Sequence, residues 1–75
     1  MSKRHRALDA FGKNLRQQRT DKGLSQEALA EKADLDPTYI SGIERGVRNP
    51  SVLSIVRIAG ALEIESADLF QGVKA

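Results

Sequence analysis

Small polar side chains and an arginine recur on one side of a short predicted helix in the middle of the chain. At about 100° per residue, Ile40 and Ile43 fall on one side of this helix. The opposite side carries Thr38, Ser41, Gly42 and Arg45. Short side chains that form hydrogen bonds suit a helix lying in the major groove of DNA, which is about 12 Å wide. The pattern therefore indicates a helix that contacts DNA.

Gly42 is an unexpected residue for the middle of a helix, where glycine costs about 1 kcal/mol relative to alanine. Some interaction should compensate that cost. Close approach of the helix to DNA would do so, and so would close approach to another helix of the protein. Both explanations are compatible with the sequence.

The elements that must position this helix are all predicted to be helical. Turn signals divide the chain into five segments with helical periodicity, at about residues 7–22, 25–33, 36–46, 51–62 and 66–72. Short helices are stable only when they pack together, so we expect one compact all-α domain of five helices over residues 7–72. Residues 1–6 are expected to form a basic, flexible tail and residues 73–75 a short C-terminal tail.

The second and third helices have the spacing of a helix-turn-helix. Ser25 is a predicted N-cap, and Asp36 followed by Pro37 gives the clearest helix start in the chain. Only about three residues, 34–36, lie between the two helices. Gly23 is expected to end the first helix in a left-handed conformation.

Charge is distributed unevenly along the chain. Residues 1–22 contain seven Lys or Arg and two acidic residues, whereas the remaining residues contain five basic and eight acidic ones. This asymmetry favours a basic edge that faces a polyanion, although a solvated basic tail would produce the same count.

Composition excludes several classes of function. The chain of 75 residues has no cysteine, and its one histidine, His5, falls in the predicted tail, so neither catalysis nor a metal site is expected. No cofactor or small-molecule ligand is expected either. Without an apolar run long enough for export or membrane insertion, we expect a cytoplasmic protein.

Residues 24–62 resemble the Cro and phage-repressor (XRE-like) type of helix-turn-helix, and most closely the controller proteins of restriction-modification systems. The matching motifs are Ser25-Gln26, the short turn, the run TYISGIERG at 38–46 and Arg48-Asn49-Pro50. The resemblance covers about residues 8–70. It implies the lambda-repressor-like fold and a transcriptional regulator that binds double-stranded DNA.

The resemblance also implies roles for individual residues. Base contacts are expected from Thr38, Ser41, Gly42 and Arg48. Phosphate contacts are expected from Gln26, Tyr39, Arg45 and Asn49. Arg19 and Glu44 match a structural ion pair between the first and third helices. Alternatively, Gln26 is merely solvated, Thr38 or Ser41 is simply solvated, and Tyr39 is purely structural. Pro37 departs from the pattern, in which a polar residue at this position often contacts a base.

The fourth helix has a wider apolar surface than one core requires. A core stripe is predicted at Val52, Ile55, Ile58, Ala59 and Leu62. Further apolar residues extend the arc beyond about 200°, which predicts a dimer interface at Leu53, Val56, Gly60 and Ile64. Alternatively, Leu69 and Phe70 of the fifth helix cover the excess.

Together these patterns predict a sequence-specific transcriptional regulator that binds a palindromic operator as a homodimer and controls a restriction-modification operon. The alternative is an antitoxin or protein-interaction module that uses the same fold.

Overall fold

The structure is a computed structural model that describes residues 5–75. It contains four α-helices, α1 (Arg6–Asp21), α2 (Gln26–Ala33), α3 (Pro37–Glu44) and α4 (Val52–Leu62), followed by a 3₁₀ helix (Ser66–Phe70). Residues 5–75 include no β-strand, so the predicted all-α class is confirmed. The fifth helix is a 3₁₀ segment that is shorter than the predicted 66–72. In the described part of the chain, no helix has both the length and the apolar character needed to cross a membrane.

Side-chain caps fix where three of the helices begin. The Ser25 hydroxyl accepts a hydrogen bond from the Ala28 N–H, and the Ser51 hydroxyl accepts one from the Ser54 N–H. Asp36 caps α3 in the same way. Gly23, with a φ of 72°, adopts the expected left-handed conformation after α1. These short-range signals place the helix ends close to where the sequence predicted them.

The ends of the domain differ from the predicted boundaries. Helix α1 begins at Arg6, which therefore belongs to the helix rather than to a tail, and residues 1–4 lie outside the described residues. Val73 is partly buried against the core, so the last residues are not simply a tail.

Every helix contributes to one hydrophobic core. Its buried side chains are Phe11, Leu15, Leu29, Ala30, Ala33, Ile40, Ile43, Ile55, Ile58, Ala59, Leu62 and Leu69. Gly12 allows α1 to approach the end of α3, because a Cβ atom at this position would collide with the carbonyl oxygens of Ile43 and Glu44. Packing of these short helices brings α3 into contact with both α1 and α2.

A buried ion pair joins Arg19 of α1 to Glu44 of α3, the pair expected from the family resemblance. Arg19 donates from Nε to Glu44 Oε2 at 2.6 Å and from Nη2 to Oε1 at 3.0 Å. It also donates from Nη1 to the Leu24 carbonyl at 2.7 Å. Gln26 Nε2 of α2 donates to the same carboxylate at 3.0 Å. The hydrogen bond with Glu44 raises the pKa of Arg19, and one carboxylate thereby connects three helices.

We predict that Arg19→Met lowers the free energy of unfolding by about 3–5 kcal/mol, because it leaves the Glu44 carboxylate buried without its cation. The Glu44 side chain is 3% exposed, so it has little contact with water in the folded protein. The double variant Arg19→Met/Glu44→Leu should recover most of the loss, since no buried charge remains. Urea denaturation followed by circular dichroism measures both. A double variant no more stable than Arg19→Met would contradict this explanation.

Candidate nucleic-acid interface

Helix α3 presents a polar outer face and an apolar inner face. Ile40 and Ile43 are buried in the core. On the other side Thr38 and Arg45 are exposed and Ser41 is partly exposed, as the helical spacing predicts. The three residues between α2 and α3 turn the chain sharply, and an open groove between these helices is lined by Gln26, Glu27, Pro37, Thr38 and Ser41. This arrangement is a helix-turn-helix with α3 as its outer, second helix.

The Arg48 side chain occupies the space beside Gly42. Gly42 is buried, and a Cβ atom there would collide with Cγ of Arg48. The atoms nearest that Cβ position all belong to Arg48, so the expected close approach of another helix is wrong. Close approach to DNA stays a prediction, and so does the role of Gly42 as a base contact. The Arg48 guanidinium carbon lies 5.9 Å from the centre of the Tyr39 ring, within the range of a cation–π interaction. Gly42 and Tyr39 together hold an exposed arginine beside the outer face of α3.

Tyr39 connects α3 to the start of α4. Its ring packs against the core, and its hydroxyl oxygen accepts a hydrogen bond from the Ser51 N–H at 3.2 Å. Hydrogen bonding from the Ser54 side chain, and secondarily from Ser51, lowers the pKa of Tyr39 despite partial burial. The hydroxyl expected to contact a phosphate thus already has partners inside the protein, which favours the structural alternative for this residue.

Thr38 is held at the start of α3 by Asp36. The Asp36 Oδ1 atom accepts from the Thr38 N–H at 2.8 Å and from the Thr38 hydroxyl at 2.6 Å. The hydrogen bond from the Thr38 hydroxyl, followed by that from its backbone, lowers the pKa of Asp36. Sequence reasoning identified Asp36 only as a helix cap, because the spacing of a capping residue does not reveal a second bond to the side chain two residues later.

Basic side chains from α1 lie near the end of α3. Lys13 and Arg16 line an open cleft with Asp9, Arg45 and Val47. Periodicity placed Lys13 and Arg16 off the apolar stripe of α1, but only the packing of α1 against α3 brings them close to Arg45. The result is a group of three basic residues at one end of the outer face, in a cleft that the acidic Asp9 and Glu44 also line.

The remaining expected phosphate contacts occupy two different environments. Gln26 is partly buried and donates to Glu44, so it is not merely solvated. This hydrogen bond positions its side chain before any ligand binds. An amide nitrogen carries two hydrogens, and the second can donate to an anion while the first is bonded to Glu44. Asn49 is exposed in the segment between α3 and α4.

Helix α4 leaves an apolar surface uncovered. We define the α4 patch as Val52, Leu53, Val56 and Gly60. The three large side chains are 78%, 59% and 52% exposed, so the expectation that Val52 belongs to the core stripe was wrong. A Cβ atom at Gly60 would meet nothing within 4 Å beyond its sequence neighbours and the backbone of its own helix, among the described residues.

Two neighbours expected near this surface lie elsewhere. Ile64 packs against the core of its own chain, which removes much of its side chain from any interface. The C-terminal 3₁₀ helix does not cover the patch, because Leu69 is fully buried and Phe70 packs edge-on against Phe11, with ring centres 5.1 Å apart. The alternative explanation of the wide apolar surface is therefore wrong.

We predict that Tyr39 titrates below the ordinary tyrosine pKa of about 10 and that Ser54→Ala raises its pKa toward that value. Removal of a hydroxyl that stabilises the phenolate favours the protonated phenol. Tyr39 is the only tyrosine and the chain has no tryptophan, so ultraviolet absorbance of tyrosinate measures this group alone. Ser66→Ala, in the 3₁₀ helix, is the control and should leave the titration unchanged. A higher pKa in the wild-type protein than in Ser54→Ala would refute the assignment.

Known proteins are similar to this chain in both sequence and fold. Residues 15–69 match the helix-turn-helix family. The chain is 50% identical over 60 residues to the control protein C.BamHI of Bacillus amyloliquefaciens, covering 79% of this chain and 74% of that protein. It is 44% identical over 62 residues to the control protein C.MunI of Mycoplasma sp, covering 83% and 81% of the two proteins.

A solved structure agrees with these sequence matches. The restriction-modification controller protein C.AhdI from Aeromonas hydrophila superposes with a TM-score of 0.83 and 52% sequence identity, covering 84% of this chain and 96% of that one. Proteins of this kind bind DNA and are generally not enzymes. The match in sequence, together with the outer helix and its exposed polar face, shows that the chain belongs to the helix-turn-helix family of DNA-binding transcriptional regulators.

Proposed function

We propose that this protein is a sequence-specific regulator that binds a palindromic operator as a homodimer, with α3 in the major groove, and controls the genes of a restriction-modification system. The observation that carries the proposal is the position of Arg48. Its side chain crosses Gly42, lies against Tyr39 and is near enough to Asp36 for its charge to help lower the pKa of that carboxyl group. An arginine held in one place can donate two hydrogen bonds to guanine O6 and N7.

Phosphate contacts would supply much of the affinity without distinguishing one sequence from another. Lys13, Arg16 and Arg45 lie at one end of α3, where they can approach the DNA backbone on one side of the groove. Gln26 lies at the start of α2, whose N-terminal N–H groups favour anions. These groups would fix the orientation in which α3 enters the groove.

The α4 patch supports a homodimer. Its large apolar side chains lie on one face of one helix, and Gly60 leaves room for the backbone of a partner to approach closely. A second copy of the same patch would cover this surface by twofold symmetry. Two α3 helices about 34 Å apart would then match half-sites separated by one turn of DNA.

The assignment to restriction-modification genes rests on the relatives named control and controller proteins. The alternative, a module whose main partner is a protein, predicts no enriched DNA sequence. Selection from a random pool of duplex DNA at physiological salt distinguishes the two. An inverted repeat with half-sites about 10 bp apart supports the operator-binding dimer, and absence of any enriched motif supports the alternative.

We predict that Arg48→Ala reduces discrimination at one position of each half-site by about 1–3 kcal/mol, because a bidentate contact to guanine is lost. Gly42→Ala should reduce discrimination at the same position, since its methyl group displaces the Arg48 side chain. Its free energy of unfolding should stay within about 1 kcal/mol of the wild-type value, because alanine favours the helix. Competition binding with operators substituted at single positions measures the effect.

Lys32→Ala is the matched control for these arginine and glycine variants. Lys32 is exposed in the last turn of α2, away from the outer face of α3. The Lys32→Ala variant should discriminate between bases at every operator position as the wild-type protein does. If Gly42→Ala bound all operators as the wild type does, Arg48 would not be positioned by the glycine.

We predict that Val56→Glu converts the dimer to a monomer and weakens operator binding, because the substitution places two buried carboxylates at the centre of a symmetric interface. Sedimentation equilibrium and operator titration measure the two effects. Ala67→Glu adds the same charge at an exposed position of the 3₁₀ helix and should leave the protein dimeric. A Val56→Glu variant that remains dimeric would place the interface elsewhere.

A further inference from the structure

Asp36 controls which kind of hydrogen bond Thr38 can make with a partner outside the protein. A carboxylate has no hydrogen to donate and can only accept. At 2.6 Å from Asp36 Oδ1, the Thr38 hydroxyl must therefore give its single hydrogen to that oxygen. The backbone N–H of Thr38 donates to the same atom and fixes the geometry of the pair. What remains on the hydroxyl oxygen is a set of lone pairs.

The chemical environment of Asp36 keeps this arrangement in place at neutral pH. The hydrogen bonds from Thr38 lower the pKa of the carboxyl group, which stays ionised. The carboxylate also anchors the first turn of α3 as its N-cap, so its position is set by the fold and does not depend on a ligand. The Thr38 hydroxyl consequently offers only an acceptor to a partner outside the protein.

We infer that Asp36 determines sequence specificity indirectly: it makes Thr38 an obligate acceptor, so that α3 selects a base with an amino group at the position that Thr38 faces. The inference rests on the proposed function, in which α3 lies in the major groove. Adenine N6 and cytosine N4 donate there, whereas guanine N7 and O6 and thymine O4 accept. A threonine without such a partner can bond to either kind of base.

The preference concerns the orientation of a base pair. Each pair presents one amino group and one keto group in the major groove, on opposite strands. An acceptor at Thr38 favours the orientation that brings the amino group, on adenine or cytosine, toward the hydroxyl. The reverse orientation would place a keto oxygen against lone pairs, beside the negative charge of Asp36.

Operator selection with Thr38 and Asp36 variants tests the inference. Thr38→Val keeps the branched shape and removes the hydroxyl, so the operator position whose preference it weakens is the one that Thr38 contacts. We expect adenine or cytosine at that position in the wild-type operator. Asp36→Gly removes the acceptor but keeps a tolerated N-cap residue, and it should reduce the preference for the amino base by about tenfold.

Asp36→Asn is the matched variant, because its amide oxygen can still accept from the Thr38 hydroxyl while the charge is removed. It should keep the preference within about twofold of the wild-type value. Circular dichroism verifies that all three variants fold. If Asp36→Asn loses as much discrimination as Asp36→Gly, charge rather than hydrogen-bond polarity sets the preference and the inference is wrong.

The remaining outcomes separate this inference from the function on which it rests. Guanine or thymine at the position dependent on Thr38, no such position, or full discrimination in Asp36→Gly would overturn the inference and leave DNA binding by α3 intact. A wild-type protein that enriches no operator would overturn the proposed function, and the role of Asp36 with it.

Discussion

The carboxylate of Glu44 accepts hydrogen bonds from side chains of α1 and α2 although it lies in the last turn of α3. Eight-residue helices such as α2 and α3 have too few internal hydrogen bonds to persist alone, so their mutual orientation depends on tertiary contacts. Apolar packing supplies most of the stabilisation but does not by itself fix one orientation. The ion pair adds direction, because Arg19 must meet the carboxylate edge-on while it also donates to the Leu24 carbonyl.

Behind the outer face of α3, the polar groups nearest the core form hydrogen bonds within the protein. The Tyr39 hydroxyl bonds to the start of α4, and Gln26 bonds to Glu44. These contacts restrict both side chains, and one hydrogen of the Gln26 amide is still able to donate to a ligand. What stays exposed is a smaller set, chiefly Thr38, Arg45 and Arg48. Neighbours in the same chain restrict the conformations of Thr38 and Arg48. Such preorganisation reduces the entropy that binding must otherwise remove.

The two sides of α4 differ in how completely they are buried. One side contributes Ile55, Ile58 and Leu62 to the core, and the other carries the α4 patch. A domain of this size buries a smaller fraction of its surface than a large domain does. An exposed apolar face beside a well-packed core is typical of a surface that binds a partner. In the proposed dimer, the helix that completes each core also joins the two subunits.

Local sequence determined the helix starts, because a capping side chain acts on N–H groups only two or three residues away. Ser25, Asp36 and Ser51 could be identified on that basis alone. The apolar periodicity also separated the inner and outer faces of α3, except at Gly42, which is buried. Tertiary structure decided which side chains fill the space beside each helix and which lie outside the core. Gly42 accommodates Arg48, six positions later, and Val52 lies outside the core although it fits the periodic stripe. Both outcomes depend on how separate segments pack, and periodicity within one helix carries no information about the direction of the chain that follows it.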